Sequence, residues 1–534
     1  MTASATTCAG SERQANVCPL STSVLPARPA RLVNGLAAFP ARILLLGVAA
    51  LILLPGCAVG PNYKRPAVPV PADFRSEEGA AQQASIADLP WWEVFKDERL
   101  KQLIQTALAN NYDLRVAITR VEQARQISLQ ARAQYFPFLN YSVGSGYGKN
   151  EFAGTVGPNG GKEQGSFLAL ASVAWEADVW GRLRRQNEAA RAQYLGTEEA
   201  RRGVMLSLVS DVAQAYFELL DLDLQLDIAK RTTQSFTETL KLFTQRLEGG
   251  VSSALDTSRA EAALATSSAN IPEIERQIAI KENQISVLLG ENPAPIARTA
   301  QLLDQVIPPQ VPSGLPSQLL ERRPDILEAE QQMRLANAQV GVATANFFPQ
   351  IGLTSFFGRG SSPLENLSSG KSTVWTIAGN VAGPIYQGGL LRAQKHQAVS
   401  FWEQTKLQYQ QSAQLAFQDV SNALISREKY EVVRTEQARS VRAYQESVRL
   451  SLLRYTAGKA SYYEVLEAQI QLYPAEFALA ITELNRRTVI VQLYKALGGG
   501  WNLTDPQWMG TPPQSAPAST PAPQNPGTDQ PGRN

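Results

Sequence analysis

The chain contains an internal duplication, in which one pattern of elements appears twice in the same order. Phe136-Pro137 ends an alanine- and glutamine-rich helical stretch and opens into a short alternating segment, and Phe348-Pro349 does the same 212 residues later. Features between Arg246 and Glu261 recur 208 residues later between Arg454 and Gln469. Each copy runs helix, short strands, very long helix, turn and helix. A repeat of this length restricts the fold more than any single motif does.

A short apolar run precedes the repeats. Ile43 to Leu54 follows Arg42 and spans 12 residues, whereas a membrane-crossing helix needs about 20, so the run is typical of a signal-peptide core. Leu54-Pro55-Gly56-Cys57 resembles a bacterial lipobox, whose cysteine becomes the lipid-bearing N-terminus. Ala58 stands where an aspartate would signal inner-membrane retention, which predicts transfer to the outer membrane. We therefore expect residues 1–56 to be removed, and the long stretch before Arg42 is consistent with an upstream start that is not used.

Cysteine content and charge exclude several classes of protein. Cys8 and Cys18 lie in the predicted signal segment, so Cys57 is the only thiol left and neither an internal disulfide nor a zinc cluster is expected. Removing residues 1–56 takes away four arginines and one glutamate, which changes the formal net charge from +2 to −1. No basic excess remains to bind nucleic acid. With no nucleophile–base pair or phosphate loop in the sequence, we expect neither an enzyme nor a cofactor, apart from covalent lipid on Cys57.

Strands are the remaining way for this chain to enter a membrane. By this interpretation, no stretch after Cys57 is long and apolar enough for a transmembrane helix. Apolar and small or polar residues alternate in two segments of each copy, with a period typical of strands; the apolar positions include Leu139, Tyr141, Val143, Phe167, Val173, Trp175, Ile351, Leu353, Phe357, Trp375 and Ile377. Segments of about 10 residues with aromatic ends suit membrane strands.

The number of strands requires assembly if they enter the membrane. Four strands cannot close into a barrel, and open sheet edges in hydrocarbon leave backbone N–H and C=O groups unpaired, at several kcal/mol each. A closed ring of identical subunits, each giving two hairpins, satisfies those groups.

Two very long helices are predicted beside the strands. From about Leu183 to Leu247 there is no proline, and the second copy runs similarly from about Leu390 to Tyr455. A helix of about 65 residues is about 97 Å long. Apolar residues of the first long helix recur at spacings of three and four, and alanine, serine and glutamine fill many of the other positions, which favours lateral packing of helices. A soluble coiled-coil rod is the alternative interpretation of the helices alone.

Several separate motifs, in order along the chain, resemble those of the TolC-type outer-membrane channels. They are Trp91-Trp92-Glu93-Val94-Phe95, Trp175-Glu176-Ala177-Asp178-Val179-Trp180-Gly181-Arg182, Glu321-Arg322-Arg323-Pro324-Asp325-Ile326, Gly383-Pro384-Ile385-Tyr386-Gln387-Gly388-Gly389 and Leu493-Tyr494-Lys495-Ala496-Leu497-Gly498-Gly499-Gly500-Trp501. The resemblance extends from about Cys57 to Trp501. It is strongest to the lipid-anchored branch that serves resistance-nodulation-division (RND) efflux pumps.

The resemblance implies a mainly α fold with membrane β: a homotrimer whose twelve-stranded β-barrel continues into a periplasmic α-helical barrel. It also implies a passive exit duct in the outer membrane for drugs or other toxic small molecules. The implied partners are a periplasmic adapter (membrane fusion) protein, an inner-membrane RND-type pump and outer-membrane lipid. Two alternatives remain open: a type I protein secretion conduit with the same fold, and a lipid-tethered helical scaffold.

The predicted organisation follows the repeats. Residues 57–90 form a lipid anchor and extended strap, 301–315 a linker, and 502–534 a disordered proline-rich tail. The first repeat spans 91–300, with a hairpin at about 138–176 and the long helix at about 183–247. The second spans 316–501, with a hairpin at about 350–380 and the long helix at about 390–455.

The resemblance places control at the two helix–helix turns. We expect the adapter to dock on Gly250, Val251, Ser252, Gly458, Lys459 and Ala460. We expect the inner constriction at Tyr455, Tyr463 and Glu467, so that three copies of Glu467 around an axis form an acidic ring that draws cations. Ile470 stands where relatives often place a basic partner, so a salt-bridged lock is not expected there.

Overall fold

The computed structural model describes residues 58–75, 85–148, 164–307 and 313–500. The predicted signal peptide, Cys57, part of the strap and the tail after Gly500 lie outside these residues. The described helices are α1 (Trp91–Val94), α2 (Glu98–Asn110), α3 (Tyr112–Ala133), α4 (Arg182–Glu248), α5 (Ala254–Leu288), α6 (Leu319–Arg322), α7 (Pro324–Ala345), α8 (Leu390–Thr456) and α9 (Tyr462–Ala496). The described strands are β1 (Phe138–Gly148), β2 (Gln164–Ala177), β3 (Gln350–Ser361) and β4 (Thr373–Ala382).

The three longest helices of one copy have the same lengths as those of the other. α3 and α7 each have 22 residues, α4 and α8 each have 67, and α5 and α9 each have 35. The repeated sequence signals explain this, because helix ends are fixed by local chemistry. Gly181 and Gly389, both with positive φ, precede the two long helices. Each long helix ends just before a second glycine with positive φ, Gly250 or Gly458.

The four strands form one antiparallel sheet in the order β1-β2-β3-β4. Each hairpin pairs its own strands, and β2 pairs with β3 to join the two hairpins. Tyr141, Ala171, Phe357 and Trp375 lie side by side across the sheet, which gives one face with an apolar row. β1 and β4 are the two edges. Within the described chain neither has a second strand partner.

The expectation that no stretch after Cys57 is long and apolar enough for a transmembrane helix was wrong. α4 contains an 18-residue window with mean hydropathy of 1.2, so by length and composition it is apolar enough to cross a membrane. The window is 67% buried inside the subunit. Its apolar residues serve the protein core, where Val209, Val212 and Tyr216 are fully buried. The hydropathy of this segment therefore reflects packing on several sides, which periodicity alone did not distinguish.

Both copies contribute to one main hydrophobic core. Its largest fully buried side chains include Trp91, Tyr216, Tyr409 and Tyr494, which come from α1, α4, α8 and α9. The Tyr494 hydroxyl donates to the carbonyl oxygen of Leu89 at 3.2 Å. Because the copies share this core, neither is a separately packed unit.

The strap runs along α4 and α7. The Val59 N–H donates to the Trp180 carbonyl at 3.0 Å, next to the end of β2. The buried Arg185 guanidinium donates to the carbonyl oxygens of Val59 and Gly60 and to Asn62 Oδ1. A Cβ at Gly60 would lie 2.6 Å from the Cα of Gly341 on α7, so only glycine permits this close approach. Residues 59–62 of the strap are thus held against α4 and α7.

Candidate functional site at the helix tips

The first tip joins α4 to α5. The N–H of Val251 donates to the Arg246 carbonyl at 2.8 Å, which closes the end of α4 around Gly250, whose φ is 71°. Ser253 then begins α5 with a reciprocal capping arrangement with Asp256. This leaves Gly250 exposed and the Val251 side chain 69% exposed. Three of the predicted docking residues, Gly250 to Ser252, therefore form a short, backbone-ordered turn that presents an apolar side chain.

The second tip joins α8 to α9 with the same backbone hydrogen bond and the same positive-φ glycine as the first. The N–H of Lys459 donates to the Arg454 carbonyl at 2.9 Å, and Gly458 has a φ of 68°. Gly458 and Lys459 are exposed, and Ala460 is half-buried. The two turns differ chemically, because Lys459 occupies the place that Val251 has in the first turn. A partner that contacts both turns meets one apolar and one cationic side chain.

An aromatic cluster packs the two tips of one subunit together. Phe243 of α4 is 1% exposed, and its ring centroid lies 3.8 Å from that of Tyr462 of α9. Tyr455, at the end of α8, lies 5.9 Å from Phe243 and 5.8 Å from Tyr462. The Arg246 guanidinium lies over the Tyr455 ring, 4.8 Å from its centroid. Burial raises the pKa of Tyr462 to about 12. The predicted gate residue Tyr455 thus belongs to this half-buried cluster.

The other two predicted gate residues lie on an exposed face of α9. Tyr463 is 55% exposed and Glu467, one turn further on, is also exposed. Gln471 donates to the Glu467 carboxylate at 3.0 Å, and Ile470 continues the face with 44% exposure. The spacing of four residues places Tyr463 and Glu467 on the same side of the helix. The structure therefore brings these two together and sets Tyr455 apart from them.

The neighbouring charges come from both tips. The Arg259 guanidinium of α5 lies 5.7 Å from the centroid of the Tyr463 ring. Arg454 and Glu464 form an ion pair at 3.7 Å at the end of the second turn. Arg259 is the residue of the first copy that corresponds to Glu467, so the duplication has opposite charges at this position. Sequence analysis did not single out Phe243, Tyr462 or Arg259, although the difference between the copies at 259 and 467 was visible in the repeat.

The predicted lipid site, Cys57, lies outside the described residues. The residue that follows it, Ala58, contacts Gly181 at the start of α4, since a Cβ on Gly181 would lie 2.6 Å from the Ala58 Cα. Among the described residues, no group of three or more His, Cys, Asp or Glu side chains could hold a metal ion.

Two hairpins with open outer edges, two 67-residue helices and paired helix tips define a class of protein, the subunit of an outer-membrane channel with a helical extension. The family model described as "Outer membrane efflux protein" matches residues 103–291 and 315–499, one segment in each copy. The chain therefore belongs to the outer membrane efflux protein family.

This chain matches relatives and solved structures over nearly the whole length of those proteins. The solvent efflux pump outer membrane protein SrpC of Pseudomonas putida is 35% identical over 85% of this chain and 98% of its own. The probable outer membrane lipoprotein SilC of Salmonella typhimurium is 32% identical over 86% of this chain and 99% of its own. The crystal structure of the open state of the Neisseria gonorrhoeae MtrE outer membrane channel has 30% identity and a TM-score of 0.75, over 83% of this chain and 98% of that chain.

These findings confirm the predicted fold class, that of a trimeric helical barrel with a β-barrel part. The protein is an outer-membrane efflux channel, and its family consists of ducts that catalyse no reaction. The predicted location in the outer membrane and the resemblance to the TolC-type channels of RND pumps are confirmed as well. The gate, the docking turns and the domain boundaries remain predictions.

Proposed function

We propose that three copies of this chain form the passive exit duct of a tripartite pump for small molecules, with an RND-type transporter and a periplasmic adapter as partners. The observation that carries the proposal is the end-to-end similarity to SrpC, whose name assigns it to a solvent efflux pump. The pump selects the substrate, because a wide aqueous tunnel selects weakly. Trimer formation in detergent and single-channel currents in a planar bilayer test the proposal. A monomer that forms no channel would contradict it.

The constriction of this duct lies at the exposed face of α9. Tyr463 and Glu467 share that face, and Ile470 extends it with an apolar side chain. Three Glu467 carboxylates around the axis attract cations and repel anions. Tyr455 contributes from behind this face, because its ring packs with Phe243 and Tyr462 and so holds α9 against α4.

The acidic ring is tested by substitution in planar bilayers. Glu467→Ala should raise single-channel conductance, because alanine is smaller than glutamate and widens the constriction. It should also lower the preference for cations over anions, because it removes the three carboxylates that attract cations. Glu464→Ala is the matched control, since Glu464 lies on the same turn of α9 but pairs with Arg454. Unchanged conductance and selectivity in Glu467→Ala, or an equal change in the control, would refute the assignment.

The adapter docks on the two turns, Gly250 to Ser252 and Gly458 to Ala460. Their exposure and their fixed backbone support this role, because a preorganised turn loses little conformational entropy on binding. Exposed Val251 offers apolar contact area, and exposed Lys459 favours an acidic position on the adapter.

Cys57 carries the lipid. The lipobox-like sequence supports this, as does the similarity to SilC, which is named a probable lipoprotein. Cys57→Ser should abolish labelling of the protein by radioactive fatty acid, whereas Cys18→Ser should leave labelling intact. A labelled Cys57→Ser protein would contradict the assignment.

A further inference from the structure

The two faces of the sheet differ in chemistry. Tyr141, Ala171, Phe357 and Trp375 mark the apolar face, and side chains alternate between the faces along each strand. In a membrane barrel the apolar face contacts lipid, and the other face lines the lumen. The lumen face of this sheet consists mainly of small and polar residues, among them Asn140, Ser142, Gly144, Ser172, Thr354, Thr376 and Asn380.

Four residues of the lumen face depart from this composition, and we call them the lumen patch. They are Leu168, Leu170, Phe356 and Val374. Leu170 is opposite Gly358 on β3, and Gly358 is opposite Val374 on β4, so the leucine and the valine lie on either side of the same glycine. The lumen patch extends from the middle of the sheet to the end that is farther from the helices.

Glycines of β3 allow the lumen patch to form one surface. A Cβ on Gly360 would lie 3.2 Å from Leu168 Cδ1, and a Cβ on Gly358 would lie 2.8 Å from Leu170 Cδ2. The two leucine side chains therefore extend over the glycine backbone. Phe356 is two residues before Gly358 and is 37% exposed. The result is an apolar surface that spans three neighbouring strands.

The lumen face of the described strands carries almost no charge. Glu176 is its single charged side chain, and it pairs with Arg182 at 2.6 Å at the end of the sheet near the helices. Arg359 is level with the lumen patch but lies on the lipid face, where it donates to the Leu367 carbonyl at 3.1 Å. A hydrated ion therefore meets no compensating charge at the lumen patch, whereas an apolar group loses contact with water there.

We propose that the lumen patch binds the apolar part of amphiphilic organic molecules as they leave the channel. The proposal rests on the trimeric duct proposed above and adds the chemical class of its substrates. Three copies of the lumen patch surround the lumen of the trimer. Binding there is weak, because the surface is open on one side, and a site that held the molecule tightly would stop its exit. The duct thus adds a small preference of its own to the selection made by the pump.

The test is block of the ionic current through the native trimer in a planar bilayer. Two organic cations are compared, tetraphenylphosphonium and tetramethylammonium. Each has one positive charge, so the predicted ring of Glu467 attracts both, and the two differ in apolar surface. Each is added to the chamber opposite the helix tips, so that it reaches the lumen patch before the constriction.

Tetraphenylphosphonium should halve the current at a concentration about 10-fold lower than tetramethylammonium does, because it has more apolar surface to bury. Leu170→Asn keeps a similar size but removes both methyl groups, and it should raise the blocking concentration of tetraphenylphosphonium at least about 5-fold. Val374→Thr keeps the shape of the side chain and should act in the same direction. Thr354→Asn is the control, because it is on the same face and is polar before and after the change; it should leave the block unchanged.

Three results would overturn the lumen patch while the currents themselves show that the duct exists. The first is equal blocking concentrations for the two cations in the unsubstituted protein. The second is an unchanged block by tetraphenylphosphonium in both Leu170→Asn and Val374→Thr. The third is an equal weakening of the block in Thr354→Asn. Unsubstituted protein that gives no current would overturn the duct and the lumen patch together.

Discussion

Asp221 lies near the middle of α4 among leucines, and its side chain is 3% exposed. Gln225 Nε2 donates to Oδ2 at 2.6 Å, while Oδ1 has no hydrogen-bond partner among the residues that the structure describes. Burial raises the pKa of this carboxyl to about 7, and the nearby charge of Glu218 adds to the increase. The ionised side chain is therefore unfavourable in the folded subunit, which makes stability depend on pH.

The direction in which stability changes with pH follows from proton binding by Asp221. Because the folded-state pKa lies above the unfolded value, the folded protein binds a proton that the unfolded chain releases between about pH 4 and 7. The associated stability is fully present below about pH 4 and is lost as the pH rises through 7. A difference of about three pKa units sets an upper limit of about 4 kcal/mol per subunit at 1.36 kcal/mol per unit.

Asp221→Asn should therefore stabilise the protein at pH 8 and change it little at pH 4. For a chain of this length, about 2–4 kcal/mol corresponds to about 2–4 °C in the midpoint of unfolding. The measurement is the temperature at which the detergent-solubilised trimer converts to monomer, at pH 4 and pH 8. Asp227→Asn is the control on the same helix, because Asp227 is exposed and pairs with Arg231.

Two results would refute the reasoning about Asp221. One is an equal shift of the midpoint at both pH values, which would indicate a packing effect of the amide. The other is destabilisation at pH 8, which would mean that the carboxylate is stabilised in the folded subunit.

Two further substitutions test the strap and the tip. Arg185→Met removes the donors to three strap oxygens, which should cost about 2–4 kcal/mol of strap binding, so trypsin should cleave the strap at least about 10-fold faster. Arg191→Met is the control, because Arg191 is exposed, and it should leave the cleavage rate unchanged. Equal rates of strap cleavage in the two variants would contradict the contact. Phe243→Ala opens a cavity beneath Tyr462, at a cost of about 3–5 kcal/mol in stability, and should raise channel conductance. Leu242→Ala is the control and should have little effect, because Leu242 is more exposed than Phe243. If Phe243→Ala has the conductance of the unsubstituted protein, the aromatic cluster does not hold the constriction in place.

The candidate site was only partly predictable. The tip turns could be located because a glycine after a long helical stretch, followed by a serine cap, is a local signal. The roles of Tyr455, Tyr462 and Tyr463 could not be separated in the same way. Tyr462 and Tyr463 are adjacent tyrosines, and only the packing of α9 on α4 buries the first at 6% exposure and leaves the second at 55%.

The sequence by itself determined the order, the approximate lengths and the duplication of the elements, because caps, proline-free stretches and alternation act over a few residues. Only the tertiary structure decided that β2 pairs with β3, that Asp221 is buried and that the apolar stretch of α4 serves a protein core. Each of these depends on contacts between residues far apart in the chain. Their free energy comes from burial and backbone pairing on docking, and no local pattern specifies the partner.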